Sequence, residues 1–219
     1  RAGEVIGRLR GDIAGSLGSV NVIRAEASLG PGRCVRAGGE EYSAERILIA
    51  TGSKPARLNI PGAELCMDSD AFLQLDKLPD SAAIIGGGVI GLEFASILAA
   101  YGCEVTVIEY CKEILPNFDS EIAKRLRSLL SRRGVKFILG AAVKSVEDGF
   151  SVEYENKRGI NRLENIGAVI CCVGRRPVVP DGCDSAGIDL DSRGFISVDC
   201  NMATTAEGIY AVGDVNGRA

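Results

Sequence analysis

Gly86-Gly87-Gly88-Val89-Ile90-Gly91 and, 23 positions after its first glycine, Glu109 carry the clearest chemistry in the sequence. Glycines spaced G-x-G-x-x-G each do a different job. Gly86 permits a tight turn, Gly88 lets bare main chain approach a diphosphate, and Gly91 lets a helix pack closely on a strand. A helix beginning there offers free N–H groups and a partial positive charge to phosphate oxygens. Glu109 can then accept hydrogen bonds from ribose hydroxyls and would repel a 2′-phosphate, which points to NAD rather than NADP. Glu93, on the first turn of that helix, reads on its own as an acid favourably placed near a helix dipole. Two weaker signals are Thr51-Gly52-Ser53, a small-residue turn after an apolar strand, and Asp214, an acid just beyond another strand. An acid at a strand's carboxyl end is well placed for a ligand hydroxyl in an open α/β sheet.

The motif needs particular elements around it, and the flanking sequence supplies them. Ala82–Ile85 is a short apolar run suited to a parallel strand covered on both faces. Ile90, Phe94, Ile97, Leu98 and Tyr101 recur at helical spacing, with Gly102 at the expected stop. Glu104–Ile108 reads as the second strand. A second helix with Ile122, Leu126, Leu129 and Leu130 follows an Asp119 or Ser120 cap and ends at Gly134. Val135–Leu139 and 167–173 read as further strands, and 142–165 alternates like hairpins. Before this unit, Val5, Leu9, Ile13 and Leu17 suggest a helix weakened by Gly7, Gly11 and Gly15. VNVIRAE, RCVRA and RILIA read as short β runs, and a short helix is expected near Ser69–Leu75.

Composition narrows the class. The 219 residues carry 25 basic and 29 acidic side chains, a net charge of −4, with 46% hydrophobic and 25% charged residues. That is ordinary for a globular protein. It lacks the basic stripe of a nucleic-acid binder, so no nucleic-acid partner is expected. No apolar run reaches the roughly 18 residues of a spanning helix, no basic-then-apolar leader opens the sequence, and no membrane partner is expected. With no histidine, histidine acid–base catalysis and histidine-ligated metal sites are excluded within these residues, and no metal is expected. The eight cysteines form no C-x-x-C or C-x-x-x-x-C pair and read as small buried hydrophobes of a reducing, cytoplasmic setting.

Taken together and in order, ILIATGSKP, IIGGGVIGLEFASILAAYGCEVTVIE, ILPNFDSEIAKRL, CCVGRRP and TTAEGIYAVGD resemble the FAD-dependent pyridine nucleotide–disulfide oxidoreductases, and among them the dihydrolipoyl dehydrogenases. The resemblance implies an α/β fold: a Rossmann-like NAD-binding domain at 81–180 inserted in an incomplete FAD-binding domain made of 1–80 and 181–219. It implies that Gly86, Gly87, Gly88, Val89, Ile90, Gly91 and Glu93 bind NAD, with Ile90 and Glu93 near the nicotinamide. Glu109 would hold the adenosine ribose, Val143 would line the adenine side and Gly174 would face the nicotinamide end. Thr51, Gly52 and Ser53 would touch FAD, Asp214 would bond its ribitol chain, and Ala25 stands where the family has a glycine.

The family's first FAD-binding glycine turn, its redox-active C-x-x-x-x-C and its His–Glu base are absent, so no catalytic residue is expected in this chain. It reads as an internal segment keeping the nucleotide end of a relay from protein-bound dihydrolipoamide, through a disulfide and FAD, to NAD. The implied partner is the lipoyl-bearing component of a 2-oxoacid dehydrogenase complex. Poor FAD retention, self-association through uncovered strand edges, or rearrangement of residues 1–45 are expected consequences. The alternatives are a stand-alone dinucleotide-binding regulatory module, another NAD(P)H-dependent disulfide reductase, and a purely structural α/β domain.

Overall fold

A computed structural model describes residues 2–218. In chain order the elements are α1 (Ala2–Ser16), β1 (Ala27–Gly30), β2 (Cys34–Ala37), β3 (Glu40–Ser43), β4 (Ile47–Ile49), β5 (Ser53–Pro55), α2 (Ser69–Phe72), β6 (Ser81–Ile85), α3 (Val89–Ala100), β7 (Glu104–Glu109), α4 (Ser120–Arg132), β8 (Lys136–Leu139), β9 (Ala142–Glu147), β10 (Ser151–Asn156), β11 (Gly159–Leu163), β12 (Ala168–Cys171), β13 (Arg175–Pro177), α5 (Cys183–Ala186) and β14 (Ile209–Ala211). They fall into two compact units. One takes in Pro55–Gly174 and the opening residues through Gly7; the other takes in Arg8–Lys54 and the residues from Arg175 onward.

In the 55–174 unit, β12, β6, β7 and β8 form a parallel sheet in that order. Side chains alternate between its faces, as a period of two requires. Ala82, Ile84, Val105, Val107 and Ile170 join Leu92, Phe94, Ala95, Leu98, Ala123 and Leu130 of α3 and α4 in one core. Ala83, Ile85, Ile108 and Val169 join Val146, Val152 and Tyr154 of the antiparallel sheet β11-β10-β9 in another. Coverage on both faces explains why these strands are continuously apolar.

The helix ends are local and strong. Asp119 Oδ1 accepts from the N–H groups of Glu121 and Ile122 at 2.9 and 3.1 Å. Gly102 (φ 85°) closes α3: its N–H donates to Ala99 O, and the Cys103 N–H donates to Leu98 O. This is the Schellman pattern.

The compact unit begins at Pro55 and ends at Gly174, so residues 56–80 belong to it. The reason is packing: Phe72 lies 4.1 Å from Phe94 ring to ring, the Val146 N–H donates to Pro61 O, and Met67 bridges to β12 at Ile170. The short helix stops at Phe72, capped by Asp68. On α4 the buried face is Ala123 and Leu130, while Ile122 and Leu129 are exposed; on α3, Ile97 and Tyr101 are exposed. Residues 20–26 join no strand, and β1 starts at Ala27.

The second unit packs a parallel pair, β4 with β14, against Leu29, Cys183, Ile188, Ile196 and Val215. An antiparallel sheet β1-β2-β3 lies in the same unit. Helix α1 forms where its periodicity places it, with Val5, Leu9 and Ile13 exposed.

Candidate nucleotide site

The sheet order reverses at β6, because β7 and β8 lie on one side and β12 on the other. Ligand crevices of open α/β sheets form at such switch points, outside the carboxyl ends of the strands. A cavity of about 440 Å³ opens there, within the range of small-molecule sites. Ile85 and Gly86 at the end of β6, Ile108 and Glu109 at the end of β7, and Cys172–Gly174 after β12 line it. Val143 of β9 completes one wall.

The three glycines differ in what surrounds them. Gly86 has φ 108°, and a Cβ on it would collide with the Cys172 carbonyl oxygen. On Gly91 a Cβ would collide with the Gly86 carbonyl oxygen. At Gly88, the cap residue of α3, a Cβ would meet nothing within 4 Å. Two of the glycines are therefore required by packing. The third faces open space in the cavity wall at the start of the helix, as main chain that receives a diphosphate must. The donor set fits a dinucleotide: main-chain N–H groups at a helix start, an acid at the next strand end and an apolar wall.

Glu109 is 7% exposed, and its carboxylate is already engaged. Oε2 accepts from the Gly87 N–H and Oε1 from the Cys111 N–H, each at 2.6 Å. The acid thus fixes the glycine turn, which its position alone does not reveal, while it also lines the cavity. Val143 and Gly174 line the same cavity as Gly86, Gly88 and Glu109. Gly87, Ile90 and Gly91 flank it in the turn and first helical turn. Val89 and Glu93 line an adjoining apolar groove, with Leu126, Leu129 and Arg133, that shares Leu115 and Phe118 with the cavity.

Sequence reasoning gave no role to Leu115, Pro116, Asn117 and Phe118, which line the cavity. They belong to ILPNF, a stretch quoted for the resemblance but without any chemistry of its own. Beside them, Glu113 accepts from Arg127 through both oxygens, at 2.7 and 3.0 Å. That hydrogen-bonded guanidinium holds the Glu113 carboxyl below the usual value. Burial and then neighbouring Cys171 push the thiol of Cys172, in the cavity wall, up to about 12, which disfavours its thiolate. Cys66 is pushed up to about 11, first by burial and then by Cys171 and Glu64.

In the second unit, Ser53 Oγ donates to Asp214 Oδ2 at 2.6 Å and accepts from Arg175 Nε at 2.6 Å. Arg175 also donates to Ser53 O at 2.7 Å, and Thr51 Oγ donates to Val178 O at 2.5 Å. Gly52 has φ 70°. Ala25 is exposed at a bend. Four of the five residues expected at FAD thus meet at one place, with Arg175 as an unforeseen organiser. Asp214 Oδ1 has no hydrogen-bond partner among the described residues, so it suits a ligand hydroxyl. Gly86–Gly91 is the only G-x-G-x-x-G in the sequence. Among the described residues no helix is long and apolar enough to cross a membrane, and no group of three or more Cys, Asp or Glu side chains could hold a metal.

Residues 1–219 match the pyridine nucleotide-disulphide oxidoreductase family. The chain is 39% identical to dihydrolipoyl dehydrogenase of Thermus scotoductus over 220 residues, covering 96% of this chain and 48% of that protein. It is 33% identical to dihydrolipoyl dehydrogenase of Geobacillus stearothermophilus over 223 residues, covering 97% and 47%. Among solved structures it is similar to the HOCl-induced flavoprotein disulfide reductase RclA from Escherichia coli. There the TM-score is 0.86 and the identity 32%, with 99% of this chain and 51% of that one covered. The chain spans about half the length of the relatives it matches.

Proposed function

The chain belongs to the pyridine nucleotide-disulphide oxidoreductases, and from that premise we propose that the 55–174 cavity binds NAD(H) in a dihydrolipoyl dehydrogenase. The observation that carries the reading is the open space at Gly88 beside the Glu109-braced turn, at the switch point of a parallel sheet. The main chain of Gly86, Gly87, Gly88, Val89, Ile90 and Gly91 receives the diphosphate. Glu109 accepts from the adenosine ribose through its remaining lone pairs and disfavours a 2′-phosphate. Val143 lies on the adenine side, and Gly174 on the nicotinamide side with Ile90 and Glu93. When bound, the nicotinamide supplies a two-electron hydride acceptor.

Thr51, Gly52, Ser53, Ala25 and Asp214 would contact FAD, and Arg175 would keep Asp214 oriented. Without a second glycine turn for the FAD diphosphate, these 219 residues would hold FAD poorly. With no histidine and no C-x-x-x-x-C, thiol–disulfide chemistry would need residues beyond them. The substrate would be dihydrolipoamide carried by the lipoyl-bearing component of a 2-oxoacid dehydrogenase complex in the cytoplasm.

A second reading, a flavoprotein reductase of some other disulfide, is supported by the 32% identity to the E. coli reductase. Dihydrolipoamide-dependent NAD reduction by a longer protein containing this chain separates the two. The nucleotide assignment is tested on the chain itself by NADH fluorescence titration of parent and Gly88→Val. The variant should melt only slightly below the parent, the cost of a poorer helix cap, and lose at least about tenfold in affinity, a difference of about 1.4 kcal/mol. Equal affinities would remove the assignment.

A further inference from the structure

Between β7 and α4 the chain runs from Tyr110 to Phe118 without strand or helix. Five residues of this strap, Tyr110 and Leu115 to Phe118, line the cavity, and within it the Phe118 N–H donates to Leu115 O. Besides the Cys111 N–H bond to Glu109 Oε1, it is held at three points. The Leu115 N–H donates to the carbonyl of Gly87, in the glycine turn itself, at 3.0 Å. The Cys111 carbonyl accepts from Gly140 at 2.9 Å. Glu113 is gripped through both carboxylate oxygens by Arg127 of α4. Ile114, next to Glu113, is fully buried and packs so near the turn that a Cβ on Gly87 would lie 3.1 Å from its Cγ2. Leu115 sits in the left-handed region at φ 50°, a conformation an L residue keeps only when its surroundings impose it. Neither Glu113 nor Arg127 lines the cavity.

We propose that Glu113 and Arg127 are positioning residues for nucleotide binding: their ion pair holds the 110–118 strap against the glycine turn and so sets the wall of the cavity on its Glu109 side. The inference rests on assigning that cavity to a dinucleotide. Because the strap leaves β7 directly after Glu109, its wall faces the adenosine half of the ligand. A bidentate, charge-assisted pair fixes orientation as well as distance. Lysine at 127 would keep the charge and lose the fork.

Calorimetric titration with ADP-ribose tests this on the parent chain, Arg127→Met, Arg127→Lys and a control, Val105→Ala, which loosens the core at the amino end of β7, the end of the sheet away from the cavity. Arg127→Met should bind ADP-ribose roughly five- to tenfold more weakly, the loss of one charge-assisted pair. Arg127→Lys should recover part of that loss. Val105→Ala should bind like the parent despite a melting temperature lowered as much or more. Parent-like affinity in Arg127→Met, or equal weakening in the control, overturns the proposal. Should Arg127→Met fail to fold, Glu113→Gln carries the same comparison with the side-chain shape kept. If the parent binds neither NADH nor ADP-ribose at millimolar concentration, the cavity assignment itself fails and takes the positioning role with it. Parent binding with unchanged variants removes the positioning role alone.

Discussion

Strands β6 and β7 pair in parallel with both faces buried, whereas β4 and β14 pair in parallel with Leu48 62% exposed on one face. The first pair belongs to a four-stranded sheet covered by helices on one side and an antiparallel sheet on the other. The second is three residues long and buries only Ile47, Ile49, Ile209 and Ala211. Parallel strands gain most when both faces are covered. The difference separates two kinds of site. The 55–174 unit closes a cavity from its own strand ends, glycine turn and strap. The other unit gathers Ser53, Arg175 and Asp214 through their side chains but has no glycine turn beside them. A site assembled inside one finished core can be tested alone; one resting on a half-covered pair should depend on what else covers it.

The sharpest way to break the comparison is Gly91→Ala. The added Cβ would meet the carbonyl oxygen of Gly86 in the turn between β6 and α3. Backbone there has no slack, so the 55–174 unit should lose roughly 3 kcal/mol or more, read as a lowered urea midpoint. Parent-like stability would mean that the turn is looser than its packing indicates. Next in size is a matched pair. Val107→Thr places a hydroxyl in the helix-side core and should cost about 2 kcal/mol. Leu48→Thr, on the open face of β4, should change stability by less than about 0.5 kcal/mol. If Leu48→Thr costs as much as Val107→Thr, that face is covered in solution. Sedimentation of the parent should then reveal a second copy, the self-association that uncovered strand edges imply.

Local features were legible because a few neighbouring residues decide them. The Asp119 cap, the Gly102 and Gly134 stops and the strand–glycine–helix order around Gly86 all stand where spacing puts them. Features set by distant partners were not legible. Residues 56–80 look irregular in sequence because their order comes from Phe94, Val146 and Ile170, far along the chain. The exposure of Ile122 and Leu129 follows from which face of α4 meets the sheet, and periodicity does not specify that. Residues 20–26 have strand-forming side chains but no partner strand in the structure, and composition cannot supply one. At the candidate site, the glycines and Glu109 announced themselves, while the strap and the bond from Gly87 to Glu109 appear only once β7 lies beside β6. A measure of the local class is Asp119→Ala, which removes two accepted hydrogen bonds at the start of α4 and should cost about 1 kcal/mol by urea denaturation.

The smallest expected effect concerns acid. Arg127 holds the Glu113 carboxyl below its usual value of 4.5, chiefly through the paired hydrogen bonds. A carboxyl depressed in the folded state binds protons more weakly there than in the unfolded chain. Its contribution is therefore complete above the unfolded value and lost as pH falls through the folded one. Glu113→Gln cannot ionise and so lacks that dependence. The parent's lead in urea midpoint over Glu113→Gln should be constant near neutrality, then shrink toward zero below about pH 4. Both side chains keep some contact with water, at 35% and 21% exposure, so screening limits the lead at neutral pH to less than about 1 kcal/mol. A lead that persists unchanged in acid would mean that the pair acts through shape and not charge. The ADP-ribose affinities of the two chains would then also stay apart at low pH, whereas an ionic clamp requires them to converge as the carboxylate is protonated.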